Sequence, residues 1–142
     1  MTPPRSRCTA ASRQQDEERM TSWTTEQLEQ IGTTDDFHIS PYRDDGTTPG
    51  TPTWIWSVVV DGDVYVRAYN GTASRWHRSA LTQRAGRIRA GGVDAEVAFT
   101  PVDGEINNRI DAAYARKYAG SPYLPPMISA RTRAATVRVD PE

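Results

Sequence analysis

Between Val64 and Val93 the chain holds six arginines (Arg67, Arg75, Arg78, Arg84, Arg87 and Arg89) together with His77, and no Asp or Glu. The planar guanidinium fork matches the paired oxygens of a carboxylate or phosphate. Tyr65, Tyr69 and Trp76 interleave with these arginines, so the stretch suits a small anionic, aromatic ligand. Its densest part is Tyr65-Val66-Arg67-Ala68-Tyr69-Asn70-Gly71-Thr72-Ala73-Ser74-Arg75-Trp76. In a strand, Tyr65, Arg67 and Tyr69 point to one face, because side chains alternate. The turn that follows delivers Thr72, Ser74 and Arg75 to a helix start, where free backbone N–H groups and the dipole favour an anion. Arg67 and Arg75 are both expected to reach that anion, and Tyr69 or Trp76 to cover a ring attached to it. His77 is expected on the helix surface.

Other chemistries lack their residues. There is no Walker loop, Rossmann glycine fingerprint, nucleophile elbow or HExxH helix. His38 and His77 are the only histidines and fall in different elements, and the single cysteine, Cys8, lies in a polar segment. That argues against a metal site, a Ser-His-Asp hydrolase and an intrachain disulfide. The carboxylate pairs Asp35-Asp36, Asp44-Asp45 and Asp61 with Asp63 sit where turns are expected and read as solvated turn residues. A formal net charge of −1 supplies no overall attraction for nucleic acid. No apolar run approaches the roughly 18–20 residues that span a bilayer, and no signal-peptide core is visible, so the expectation is a cytoplasmic protein without membrane contact.

The elements that must position these residues read as one domain. With 142 residues, 37% of them hydrophobic, the chain supports a single core. Residues 1–19 have no apolar period and are expected to be a disordered tail, or an extension upstream of a true start at Met20; residues 20–142 form the domain. Thr24 with Gln27 fits a capping box, Trp23 and Leu28 fit the hydrophobic staple around it, and Gly32 is placed to end a helix that closes at Ile31. Phe37–Tyr42 reads as a strand limited by Pro41 to an edge or bulge. Trp54–Val60 reads as one strand, turned by Asp61-Gly62-Asp63 into Val64–Tyr69. Ser74 caps a helix to Arg84 that Gly86 stops, with Trp76, Ala80 and Leu81 as its apolar stripe. Gly91-Gly92 joins strands Arg87–Ala90 and Asp94–Val102. Asp103 caps the clearest helix, whose Ile106, Ile110, Ala113, Tyr114 and Tyr118 share a face, and Thr136–Val139 is a last strand. About six mainly antiparallel strands with two or three helices make a β-barrel with flanking helices, an α+β architecture.

Tyr65 to Arg75 resembles the strand, loop and Ser-Arg-Lys helix start with which pyridoxamine-phosphate-oxidase-like split barrels hold a flavin phosphate, Trp76 standing at the lysine. The order of elements onward, through Ala113-Tyr114 and Lys117-Tyr118 to Thr136-Val137-Arg138, resembles the deazaflavin-dependent nitroreductase branch. There Arg43, followed here by Asp44-Asp45-Gly46, occupies the neighbourhood of a Gly-Arg-Lys-Ser-Gly loop. Met20 to Pro141 as a whole resembles the bacterial domain-of-unknown-function family 2255, a relative of these FMN-binding split barrels. Trp23, Leu28, Ile31-Gly32, Trp56, Val64-Tyr65-Val66-Arg67, Trp76, Gly86 to Gly92 and Ile110 to Tyr118 carry that likeness. It implies a split β-barrel that binds FMN or a deazaflavin through Arg67, Tyr69, Thr72, Ser74, Arg75 and Trp76. It also implies a homodimer with Trp54 and Trp56 near a barrel or subunit contact, and an oxidoreductase if the protein is an enzyme. The alternative is a non-catalytic, small-anion-binding or structural dimeric barrel that has lost the cofactor.

Overall fold

The computed structural model describes residues 22–141, so the expectation for residues 1–19 lies outside the described residues. The strands are β1 (Phe37–Pro41), β2 (Thr53–Ile55), β3 (Ser57–Val60), β4 (Asp63–Arg67), β5 (Ala85–Ala90), β6 (Val93–Pro101) and β7 (Thr136–Pro141). The helices are α1 (Thr25–Thr33), α2 (Arg75–Gln83), α3 (Ile106–Lys117), α4 (Leu124–Met127) and α5 (Ala130–Arg133), and a 3-10 turn (Gly71–Ala73) precedes α2. All ladders are antiparallel, in the order β2-β1-β5-β6-β7-β4-β3.

The two ends of that order are consecutive in sequence, with Trp56 alone between them. Consecutive Cα atoms lie about 3.8 Å apart, so one residue draws the two edges of the sheet together and the result is a nearly closed barrel. This corrects the expectation of one strand over Trp54–Val60. The run is strongly β-prone, with Ser57 its one residue that is not a strand former, yet it divides at Trp56 into strands that pair at opposite edges, which raises the count from about six to seven.

Side-chain alternation assigns the two faces. Val64 and Val66 of β4 face the barrel core with Phe37, Ile39, Ile88, Val97, Phe99, Val137 and Val139. Tyr65 belongs instead to a second cluster outside the barrel, where Val58, Val60 and Met127 meet Ile110, Ala113, Tyr114 and Tyr118 of α3. The expected stripe on α3 therefore packs as read. Trp23 and Ile31 close the barrel core at one end, with the Trp23 indole N–H donating to the Val139 carbonyl at 2.9 Å.

Both expected hairpins form, with Asp61 and Gly62 at φ 53° and 85° and Gly91 and Gly92 at φ 54° and 93°; positive φ at both central residues suits the twist of the strands. The capping box of α1 is complete, Gln27 N–H donating to the Thr24 hydroxyl and Thr24 N–H to the Gln27 side chain.

Four local expectations are corrected. Helix α1 runs through Gly32 to Thr33, because Gly32 does not take the positive φ that would end it and Thr34 is the C-cap. Pro41 lies in an interior strand, but β2 pairs only with Phe37–Ile39, so no partner needs its missing N–H. Helix α2 is ended by Arg84 itself at φ 61°, while Gly86 is a strand residue crowded against Ser40 and Pro41. The N-cap of α3 is Glu105, and Asp103 lies outside it. Among the described residues no helix is long and apolar enough to cross a membrane.

Candidate functional site

A cavity of about 600 Å³ opens beside the seam at Trp56. Four segments line it: Thr53, Trp54, Ile55 and Trp56; Arg67, Tyr69 and Asn70; Ser74, Arg75 and Trp76; and Tyr123 with Met127. Five of the six expected site residues thus meet in one cavity: Arg67, Tyr69, Ser74, Arg75 and Trp76. Thr72, exposed in the 3-10 turn, is not among the lining residues.

Five of the twelve lining residues are aromatic, and none is Asp or Glu. Trp54, Tyr69 and Tyr123 are the exposed large hydrophobic residues of the described chain, at 53%, 42% and 60%, and all three lie on this one cavity. Exposed apolar side chains gathered on one concavity mark a binding surface rather than scattered surface residues. Tyr69 and Tyr123 meet edge to face with ring centroids 6.3 Å apart. At the seam, Trp56 is held from outside the barrel. The Trp56 ring stacks on Tyr118 at 3.9 Å and 2°, and the Tyr114 hydroxyl donates to the Trp56 carbonyl at 3.2 Å. At Ser57 the backbone is clasped twice, its N–H donating to the Tyr118 hydroxyl at 3.2 Å and its carbonyl accepting from Lys117 Nζ at 2.8 Å.

The two arginines expected to share an anion differ. Arg67 is fully buried and all five of its N–H groups already donate to protein acceptors. Nε reaches Thr136 Oγ1, Nη1 reaches Asp111 Oδ1 and the Met127 carbonyl, and Nη2 reaches the Asn107 carbonyl and Oδ1. Its guanidinium also lies 5.5 Å from the Tyr114 ring centroid. The alternation that places Val66 in the barrel places Arg67 under α3, where it ties α3, β7 and α4 together. It holds the cavity wall and has no donor left over for a ligand. Arg75 is exposed, with no ion pair or hydrogen bond from its side chain among the described residues. It sits in the first turn of α2, whose N-cap Ser74 makes no side-chain cap bond, so the free N–H groups of that turn, the Ser74 hydroxyl and the Arg75 fork remain available to one anion.

His77 corrects the expectation of a surface position. It is 2% exposed, its Nδ1 has no hydrogen-bond partner, and burial lowers its pKa. It packs with the apolar face of α2 and does not line the cavity. Burial also lowers the Lys117 pKa to about 8 and raises that of Tyr118 to about 12, and it raises Tyr114 further still. These groups serve the seam, not the cavity. Arg43 is likewise absent from the lining. Its loop is closed by Asp45, which accepts from Thr47 N–H, Thr48 N–H and the Thr48 hydroxyl and is thereby held at a pKa of about 2.

Sequence reading missed Thr53, Ile55, Asn70, Tyr123 and Met127 as site residues; for Tyr123 and Met127, nothing in a proline-broken segment indicates where it will fold back. The Met127 carbonyl bound by Arg67 is what places them.

The fold and the cavity together define a helix-flanked antiparallel barrel with a ligand-sized cleft at its seam. The chain belongs to the family of uncharacterised proteins conserved in bacteria designated DUF2255, whose model matches residues 27–139. Comparison with curated proteins gave no match. Among solved structures, a conserved hypothetical protein, Rv2991, from Mycobacterium tuberculosis is similar at a TM-score of 0.57 and 15% identity, over 86% of this chain and 82% of that one. A likeness at that identity concerns the fold.

Proposed function

We propose that the cavity binds a planar aromatic ligand carrying an anionic group, with flavin mononucleotide as the cofactor it suits best. The observation that carries this reading is a single acid-free cavity in which aromatic side chains line the walls and Arg75, unpaired, stands at an open helix start. Tryptophan and tyrosine faces accept a flat ring by stacking. Arg75, the Ser74 hydroxyl and the free N–H groups of α2 accept the terminal anion. The Arg43 loop stands outside the cavity lining and presents Asp44 and Asp45, which favours a short phosphate over the long polyanionic tail of a deazaflavin.

When bound, the flavin supplies the redox chemistry. The chain's own part is to orient the ring between Trp76 and the seam tryptophans, to exclude water with Tyr69 and Tyr123, and to fix the anion at Arg75. An oxidoreductase of this kind needs no acid–base pair in the lining. A non-catalytic barrel that binds an aromatic anion uses the same contacts, and turnover with a reduced nicotinamide donor separates the two. The test of binding is an absorption spectrum between about 350 and 500 nm of the purified protein and of free flavin mononucleotide with and without it. A shifted, structured flavin band is expected. A spectrum equal to the sum of the separate components sinks the flavin reading.

A further inference from the structure

Arg131 lies in α5, remote in sequence from the arginine-rich stretch and outside the cavity lining, yet it stands against the ring of a residue that lines it. Its guanidinium carbon stands 5.3 Å from the centroid of the Tyr69 ring, which lines the cavity. The side chain is exposed and has no ion pair or hydrogen bond among the described residues. Gly71 makes the approach possible: a Cβ there would come 2.6 Å from Arg131 Cγ and 3.2 Å from its carbonyl oxygen. Gly71 also holds φ +73°, which residues with a side chain rarely adopt. It opens the 3-10 turn that ends at Ser74 and passes directly into Arg75. One short turn therefore carries Arg75 at its far end and packs the stem of Arg131 at its near end.

Two guanidinium groups brought to one ligand at an acid-free cavity repel each other unless an anion neutralises both. A carboxylate offers one negative charge and two oxygens. A phosphate monoester offers a charge of about −1.5 to −2 at neutral pH and three acceptor oxygens, enough for two forks. Arg67, with all five donors engaged, takes no part. We infer that Arg131 is the second cation of the cavity, and that with Arg75 it selects a phosphate monoester on the aromatic ligand over a carboxylate or an uncharged group. The face of Tyr69 holds the Arg131 guanidinium in place before the ligand arrives. This inference rests on the reading of the cavity as a site for an aromatic anion, and it does not require the ring to be a flavin.

The test measures quenching of tryptophan fluorescence by phenyl phosphate and by benzoate, in the wild type, Arg131→Gln and Arg75→Gln. The wild type is expected to bind phenyl phosphate about tenfold or more tightly than benzoate, the discrimination that one charged hydrogen-bonding partner provides. Arg131→Gln is expected to reduce that preference to within about twofold with an unchanged melting temperature, Arg131 being exposed, while Arg75→Gln weakens both ligands. An Arg131→Gln protein that keeps the preference overturns the inference, as does a wild type that shows no saturable binding of phenyl phosphate. Flavin mononucleotide titrated in parallel separates the two proposals. If it binds and is indifferent to Arg131, the inference fails and the flavin reading stands; if phenyl phosphate binds through Arg131 and the flavin does not bind, the reverse holds.

Discussion

Arg67 and Arg75 are eight positions apart and look equivalent in sequence, but the barrel gives them opposite tasks. Arg67 has exchanged water for five protein acceptors. Removing it leaves the Met127 carbonyl without that donor, leaves Asp111 with Arg133 alone and Asn107 Oδ1 with the Thr136 hydroxyl alone, and opens a hole beneath α3. Arg67→Ala is expected to lower the unfolding free energy by about 3 kcal/mol, read from a shift in the urea midpoint. Arg75→Gln, at an exposed and unpaired position, is expected to change stability by no more than about 0.5 kcal/mol. That contrast follows from which face of β4 continues under α3. The identity of the site arginines was legible in the spacing, but their division of labour depended on Asn107, Asp111 and Thr136, which lie far along the chain.

Lys117 yields a pH dependence at the same scale. Its native pKa is lowered to about 8 from an ordinary 10.5 by burial. Between those values the unfolded chain binds more protons than the native one, so stability rises with pH across the interval. Tyr114, Tyr118 and Tyr65 have raised pKa values, again chiefly through burial. Above the ordinary tyrosine value of 10 the unfolded chain ionises first, and stability falls. Urea midpoints are therefore expected to climb from pH 8 to near 10 and then decline. Lys117→Met should flatten the climb and leave the decline.

At the scale of elements, the decisive feature is the seam. Only Ser57, a residue commoner in turns than in strands, interrupts the strand formers of Trp54–Val60, too weak a signal to place a break. The division at Trp56 is imposed by α3 and its C-cap: Tyr114, Lys117 and the C-cap Tyr118 bond the backbone at Trp56 and Ser57. Tyr118→Phe keeps the stack on Trp56 and removes the hydroxyl, and a loss of about 1 kcal/mol is expected in chemical denaturation. Gly86 governs the other side of the barrel. A Cβ there would fall 2.5 Å from the Ser40 carbonyl oxygen and 2.6 Å from Pro41 Cα, so Gly86→Ala must spread β1 from β5. It is expected to cost far more stability than Tyr118→Phe, with loss of protection at the backbone amides of Phe37–Ser40 in hydrogen exchange. Both hairpins, the capping box and the α3 stripe were legible because their signals are local. The seam and the ends of α1 and α2 were not, because packing across the barrel set them.

For the molecule as a whole, the barrel converts a chain with scattered aromatics into one in which Trp54, Tyr69 and Tyr123 converge on one opening. A ligand that binds only the folded barrel must raise its melting temperature, by an amount set by concentration over Kd. Three of the four tryptophans, Trp54, Trp56 and Trp76, line the cavity, whereas Trp23 is buried in the barrel core. Tryptophan fluorescence therefore reports chiefly on the site. The most direct test of the account is a titration of flavin mononucleotide into the wild type and Arg75→Gln, followed by tryptophan quenching. The expected result is a saturable curve at one ligand per chain, displaced about tenfold to higher concentration in Arg75→Gln with the same end-point. A linear, unsaturable decrease that is identical in the two proteins would contradict it.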